Sequence, residues 1–152
     1  MNSPTNSIEK SIAIKASLDK VWRALTDYQQ FGEWFRVKLE VPFVVGKQAY
    51  GQITYPGYEH VRMEVMVVAI EPMTRFAFTW HPYGIDPKVD YSHETPTTVE
   101  FTLQESASGT LLKVVESGFD AVPEARRSEA FRMNEGGWTE QVKNIEAYVV
   151  KH

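Results

Sequence analysis

The sequence predicts an α+β fold in which a curved antiparallel sheet of about six to seven strands wraps around one long C-terminal helix. Two observations carry this prediction. Several segments between residues 46 and 117 alternate apolar and polar residues with a period of two, which is typical of half-buried antiparallel strands. The segment 126–151 instead repeats its apolar residues at helical spacing, which predicts an amphipathic helix.

The bulk composition excludes several classes of protein. The length of 152 residues fits one domain, predicted over residues 8–152, with a disordered tail expected at residues 1–7. A net charge of -4 without a basic patch argues against nucleic-acid binding. Because the chain has no cysteine, disulfides and thiolate metal sites are excluded. The start MNSPTNSIEK does not look like a secretory signal, and no apolar run reaches the ~20 residues of a membrane span, so we expect a cytoplasmic protein without membrane association.

The first elements are a strand and two short helices. Isoleucines recur at positions 8, 12 and 14 of the segment 8–16, which predicts the first strand. Ser17 is a suitable N-cap for the helix that follows, DKVWRALTD. The apolar cluster at residues 31–35 predicts a second short helix or turn that packs on the core.

The sheet continues in alternating segments separated by turn signals. These segments are residues 46–55, 60–70, 75–81, 98–105 and 110–117. A twisted sheet of this size curls, and a single helix laid in its concave side cannot fill the whole space. The remaining gap is therefore either filled by large side chains or left as a cavity, and the sequence leaves both alternatives open.

Most side chains predicted to line this space are apolar. Alternation along the strands and the stripe on the last helix select Tyr55, Met63, Phe76, Phe78, Trp80, Phe101, Leu112, Val114 and Trp138. Asn134 and Gln141 lie four residues before and three after Trp138, so both share its helix face. If that face borders a cavity, these two amides can orient a ligand.

Glu116 is the most informative polar residue. Counting by twos from Leu112 and Val114 places it on the inner face of its strand. A buried carboxylate is costly unless it is hydrogen-bonded or partly hydrated, so it could hold a polar group of a ligand or act as an acid or base. The alternative is a strand-end carboxylate that lies in water or pairs with an arginine.

The long segment 81–96 is expected to be a polar loop that acts as a lid over the cavity mouth. It contains His81, Asp90 and His93, and a divalent metal site formed by these three is a minor alternative. We expect no metal and no cofactor. The sequence contains neither a G-x-S-x-G elbow nor a glycine-rich phosphate loop.

Gly136 and Gly137 stand together inside the last helix, where each glycine costs roughly 0.5–1 kcal/mol relative to alanine. We expect them to permit a close approach of strand, loop or ligand to the helix backbone, or a local kink.

Four segments in this order resemble one superfamily. They are VWRALTDYQQFGEWF at 21–35, VVAIEPMTRFAFTW at 67–80, GTLLKVVESGFD at 109–120 and GGWTEQVKNIEAYV at 136–149. Together they resemble the START-like or polyketide-cyclase (SRPBCC) superfamily, and most of all its branch named after the activator of heat-shock-protein ATPase. The resemblance covers nearly the whole chain from residue 8 onwards and implies a helix-grip fold with a ligand cavity. It does not imply one activity, since the superfamily includes lipid carriers, hormone receptors, cyclases and co-chaperone domains.

Three functions follow from these observations. The first is a binding protein for a hydrophobic or aromatic small molecule, which needs no catalytic constellation. The alternative is a co-chaperone-like domain with a chaperone partner, which would connect the protein with the stress response. The weaker alternative is a cyclase or hydrolase that uses Glu116 and His81 as acid and base. We expect a monomer or a weak dimer.

Overall fold

A computed structural model describes residues 5–152. Its elements in chain order are β1 (Ser7–Ile14), α1 (Leu18–Thr26), α2 (Tyr28–Phe35), β2 (Val37–Leu39), β3 (Gln48–Ile53), β4 (Arg62–Glu71), β5 (Arg75–Trp80), β6 (Thr97–Ser106), β7 (Gly109–Ser117), a short 3-10 helix (Phe119–Ala121) and α3 (Glu124–Lys151). The strands form one antiparallel sheet in the order β1-β7-β6-β5-β4-β3-β2. The predicted fold class is confirmed, including the two short helices after the first strand.

The inner face of the sheet follows the predicted alternation. On β4, for example, Met63, Val65 and Val67 are buried while their neighbours Arg62 and Glu64 are exposed. The pairing of β4 with β5 shifts between Val67 and Ala69. Such an irregularity bends the strand and increases its twist, which helps the sheet to curl towards the helices.

The two short helices are fixed by caps and by one buried indole. Ser17 Oγ accepts a hydrogen bond from the Lys20 backbone N–H at 3.2 Å, as predicted for the N-cap of α1. Asp27 caps α2 in the same way by accepting from the N–H of Gln29 at 2.9 Å. The Trp34 indole N–H donates to the Ala24 carbonyl at 2.8 Å, so the two helices are joined inside the core.

The helix α3 has 28 residues and lies against the sheet along one apolar stripe. Trp138, Val142, Ile145 and Val149 are all buried, so the predicted stripe is confirmed. In the described part of the chain, no helix combines the length and apolar character needed to cross a membrane.

The amino-terminal segment contacts the fold before the predicted domain start. The Asn6 carbonyl accepts from the backbone N–H of Gly118 at 3.0 Å and of Phe119 at 3.1 Å, and β1 begins at Ser7. Residues 1–4 of the expected tail lie outside the described residues.

Gly136 and Gly137 lie on the solvent side of α3. Both are exposed, and a Cβ added at either position would meet no atom within 4 Å. The expectation of a close approach at this pair is therefore wrong. The physical reason is that Trp138 takes the core-facing position, which turns the two preceding residues away from the sheet. The helix runs unbroken through both glycines.

Alanine at either glycine should therefore stabilise the protein. Gly136→Ala and Gly137→Ala each remove unfolded-chain entropy in an exposed helix interior, so we expect the free energy of unfolding to rise by about 0.5–1 kcal/mol in urea titrations. Gly118→Ala is the control that should lose stability, since Gly118 has φ of 101°. A loss of stability in both helix variants would contradict this account.

Candidate functional site

Glu116 lies near the end of β7 on the inner face of the sheet, and its side chain is 0% exposed. It is paired with Val99 of β6 on one side and with Ile8 of β1 on the other. Both registers run without interruption through Glu116, so the two-residue alternation holds to this point. The predicted inward orientation is correct.

Four neighbouring side chains donate hydrogen bonds to the Glu116 carboxylate. The Trp138 indole N–H donates to Oε1 at 2.8 Å, and the Trp80 indole N–H donates to Oε2 at 2.8 Å. The Thr97 hydroxyl donates to Oε2 at 2.5 Å. The Asn134 amide nitrogen lies 2.9 Å from Oε1 and 3.2 Å from Oε2. We call these five residues the Glu116 cluster.

All four partners of the carboxylate are neutral. Within residues 5–152, no lysine, arginine or histidine forms an ion pair with Glu116. Two indole N–H groups and one amide N–H can only donate, so Glu116 is the acceptor for all three of them. Its carboxyl group is therefore held by neutral dipoles in a buried, low-dielectric setting.

Aromatic rings surround the cluster and fill the space between sheet and helix. The Trp138 ring centroid lies 5.9 Å from that of Trp80, 5.7 Å from Phe101 and 6.3 Å from Phe35. Phe101 and Trp138 are buried, whereas Phe35 and Trp80 are only partly buried. Of the two alternatives, packed side chains therefore occupy this part of the interior, and its edge is marked by Phe35 and Trp80.

Two surface depressions lie away from this interior. One of about 190 Å³ is formed by α1, α2 and the end of α3, beside Lys20 and Tyr148. The other, of about 240 Å³, is at the start of α3 beside Arg127 and Phe131. None of the predicted site residues lines either one.

The structure brings most of the predicted site residues together, with one clear exception. Trp80, Glu116, Asn134 and Trp138 share the Glu116 cluster, and the remaining apolar members are buried in the same core, namely Met63, Phe76, Phe78, Phe101, Leu112 and Val114. Gln141 is half-buried and donates to the Phe35 carbonyl at 3.3 Å.

Tyr55 does not face the interior, so its inclusion was wrong. The strand β3 ends at Ile53, and the alternation that selected Tyr55 ends with it. Tyr55 is 47% exposed and contacts Tyr58 and the Arg36 guanidinium instead.

Two residues of the site were missed in the selection from sequence. Thr97 stands two residues before Val99, so the period of β6 already placed its side chain on the inner face. Phe35 ends α2, and its ring position beside Trp80 and Trp138 depends on how α2 packs, which local periodicity does not determine.

The loop 81–96 is held against the start of α3 by one arginine. The Arg126 guanidinium donates to Glu94 Oε1 at 2.5 Å and to the Pro82 carbonyl at 2.6 Å, and it lies 4.8 Å from the ring centroid of Tyr91. The hydrogen bond from Arg126 holds the pKa of Glu94 below its ordinary value, although burial opposes this shift. One side chain of α3 thus contacts both the beginning and the end of the loop.

The two histidines of this loop do not assemble a metal site. Within the described residues, no group of three histidine or carboxylate side chains is arranged to hold a metal ion, so His81, Asp90 and His93 do not form the alternative site. Burial lowers the pKa of His81, and its Nδ1 has no hydrogen-bond partner in residues 5–152. Hydrogen bonds from Ser92 lower the pKa of Asp90.

The fold and its buried interior define the class of protein as START-like, with a sheet wrapped around a C-terminal helix. Residues 15–150 match the family model described as Activator of Hsp90 ATPase homolog 1-like protein, and the chain belongs to that family. No protein of curated function matches the sequence.

Several solved bacterial structures share this fold. Protein MLL2253 from Mesorhizobium loti is 26% identical, with 95% of this chain and 97% of that chain covered and a TM-score of 0.74. Protein NE0264 from Nitrosomonas europaea is 17% identical over 99% and 97% of the two chains, with a TM-score of 0.76. A protein from Arthrobacter aurescens is 16% identical over 99% and 91%, with a TM-score of 0.77. Because the last two proteins are so distant in sequence, their similarity shows only that the fold is shared.

Removing the charge of Glu116 should destabilise the protein. Glu116→Gln replaces an acceptor by an amide N–H that faces other donors, so buried N–H groups lose their partner. We expect the free energy of unfolding to fall by about 1–3 kcal/mol, measured by urea titration. Glu105→Gln, at the exposed end of β6, is the matched control and should stay within about 0.5 kcal/mol of the wild type. Equal stabilities of the two variants would refute the structural role of the cluster.

The contact between Arg126 and the loop should weaken in acid. Because the folded-state pKa of Glu94 is depressed, its stabilising contribution is present above its unfolded pKa and is lost as pH falls through the folded value. We expect hydrogen-exchange protection factors in residues 81–96 to fall over that range. Arg126→Gln should lower them already at pH 7, whereas Arg127→Gln should not, since Arg127 instead donates to the Val122 carbonyl. Unchanged protection in Arg126→Gln would show that the arginine does not hold the loop.

Proposed function

We propose that the protein binds a small hydrophobic or aromatic molecule between the sheet and α3, at the half-buried edge of the Glu116 cluster. The observation that carries this proposal is the buried Glu116 carboxylate, enclosed by aromatic rings and held only by neutral donors. A mostly apolar interior with a few convergent polar groups is the usual composition of a small-molecule site.

Stability alone does not account for a buried carboxylate at this place. Taking an ion out of water is expensive, and replacing buried charges with apolar residues of similar volume is often neutral or stabilising. On the inner face of β7, Glu116 follows the apolar Leu112 and Val114 and is the only charged side chain, since the other buried polar residue of this strand, Thr110, is neutral. A role in recognition explains why a charged group occupies the last inward position of the strand.

The edge of the interior offers a route for a ligand. Phe35, Trp80, Asn134 and Gln141 are all partly exposed, and they belong to α2, β5 and α3. Trp80 is the last residue of β5 and is followed directly by the loop 81–96. A movement of this loop and of the Trp80 ring would open the space that the rings now fill, which gives the loop the role of a lid.

The arrangement favours binding over proton transfer at Glu116. Both carboxylate oxygens accept hydrogen bonds from the protein, and in residues 5–152 His81 makes no hydrogen bond to Glu116. An acid or base would need a free position beside its reacting atom.

A second candidate, a co-chaperone-like interaction, is supported by the family description and by the outer surface. The family is named for an activator of the Hsp90 ATPase. On the outer side of the sheet, Met66 is 41% and Val68 43% exposed, and Val45, in the loop before β3, is 52% exposed. The Gly46 N–H donates to the Val67 carbonyl at 2.8 Å, which holds this loop beside β4. Exposed apolar side chains that lie close together are typical of protein contacts. Stimulation of a chaperone ATPase that is lost in Val45→Ser and Val68→Ser would favour this candidate.

A titration with the neutral ligand indole tests the first candidate. We expect saturable NMR shift changes at the Trp80 indole and at the side-chain amides of Asn134 and Gln141. Tyr55, which is exposed and contacts Tyr58 and Arg36 instead of the interior, is the internal control and should not respond.

Val68→Ser provides the control for binding to exposed apolar side chains and should leave the affinity unchanged. The proposal is wrong if indole changes the NMR signals of Tyr55 and Val68 but not those of Trp80, Asn134 and Gln141. It is also wrong if no signal shows a saturable response.

A further inference from the structure

We infer that this interior selects ligands that carry a positively charged organic ammonium group over neutral or anionic ligands of the same shape. The inference rests on the proposed function and names the ligand class of the same site. It follows from three properties of the Glu116 cluster: its net charge, the use of its donors, and the rings that border it.

The first property is an uncompensated negative charge. Glu116 is 0% exposed and its four partners are neutral. Arg126 is engaged by Glu94 and by the Pro82 carbonyl, and within residues 5–152 it forms an ion pair with Glu94 alone. Because charges interact more strongly where water is excluded, a cation that enters the interior is attracted and an anion is repelled.

The second property is that the donors of the cluster are already used. Both indole N–H groups, the Thr97 hydroxyl and the Asn134 amide nitrogen point at the carboxylate. An incoming carboxylate or phosphate group would therefore find only the second N–H of the Asn134 amide unused in the cluster. What the cluster still offers is an acceptor, since the Asn134 Oδ1 receives no hydrogen bond within the described residues.

The third property is the set of ring faces at the edge. Phe35 and Trp80 lie with centroids 6.1 Å apart, and both are partly exposed. An ammonium group is attracted to an indole or phenyl face within about 6 Å of the ring centroid. The Trp80 indole donates its N–H to the carboxylate, so a cation over this ring also lies close to the buried charge.

Three ligands that share an indole ring test this inference. They are tryptamine, which is cationic at pH 7, 3-ethylindole, which is neutral, and indole-3-acetate, which is anionic. We expect tryptamine to bind at least tenfold more tightly than 3-ethylindole, and indole-3-acetate at least tenfold more weakly, by calorimetry or NMR titration. In Glu116→Gln the advantage of tryptamine should shrink to about threefold or less, while Glu105→Gln should keep the wild-type order.

A second variant, which adds a positive charge beside Glu116, tests the inference if Glu116→Gln does not fold. Asn134→Lys puts a cation beside the intact carboxylate, so we expect it to abolish the preference for tryptamine and to improve binding of indole-3-acetate. If 3-ethylindole binds and tryptamine does not bind more tightly, the inference is overturned while the proposed function stands. If none of the three ligands binds, the proposed function itself fails.

Discussion

Hydrogen bonds to the Glu116 carboxylate join β5, β6 and α3 to β7 at one buried point. The partners of the carboxylate are the last residue of β5, the first residue of β6 and two residues of α3, and Glu116 itself stands near the end of β7. A buried charge must have its hydrogen bonds supplied by the protein, because an unsatisfied charged group costs more than a neutral one. Each of these elements must therefore end or pass where its donor can reach the carboxylate.

This constraint explains the arrangement around the site. The Trp80 and Trp138 rings are turned with their N–H edges towards Glu116, so the two rings pack against one another at a tilt of 30° and Trp138 meets Phe101 edge to face. Asn134 and Trp138 are one helical turn apart, so both donors come from the same face of α3. That rotation of the helix also sends Gly136 and Gly137 to the solvent side. The loop 81–96 connects Trp80 to Thr97, and Arg126 holds this loop against the start of α3.

Much of this could be predicted from the sequence because the relevant signals are local. Alternation along β7 placed Glu116 inward, and the spacing of Asn134 and Trp138 placed them on one helix face. The meeting of Glu116 with Trp80 could not be predicted in this way, because it depends on how strands far apart in sequence pair. The prediction for Tyr55 was wrong because the alternation stops at the end of β3. The prediction for Gly137 was wrong because helical spacing does not determine whether a residue beside the apolar stripe contacts the sheet or faces solvent. The contact of Arg126 with Glu94 joins two elements whose approach has no local signature.

The most direct test of the central claim, that one buried carboxylate holds both Trp80 and Trp138, is NMR of the four tryptophan indole N–H groups. Trp34 serves as a reference inside the same protein, because its N–H donates to the Ala24 carbonyl and not to Glu116. In the wild type, the Trp80, Trp138 and Trp34 signals should all exchange slowly with solvent. In Glu116→Gln, the account predicts that the Trp80 and Trp138 signals shift and lose protection while Trp34 is unchanged. Trp80 and Trp138 signals that stay at their wild-type positions and exchange rates in this variant would contradict it.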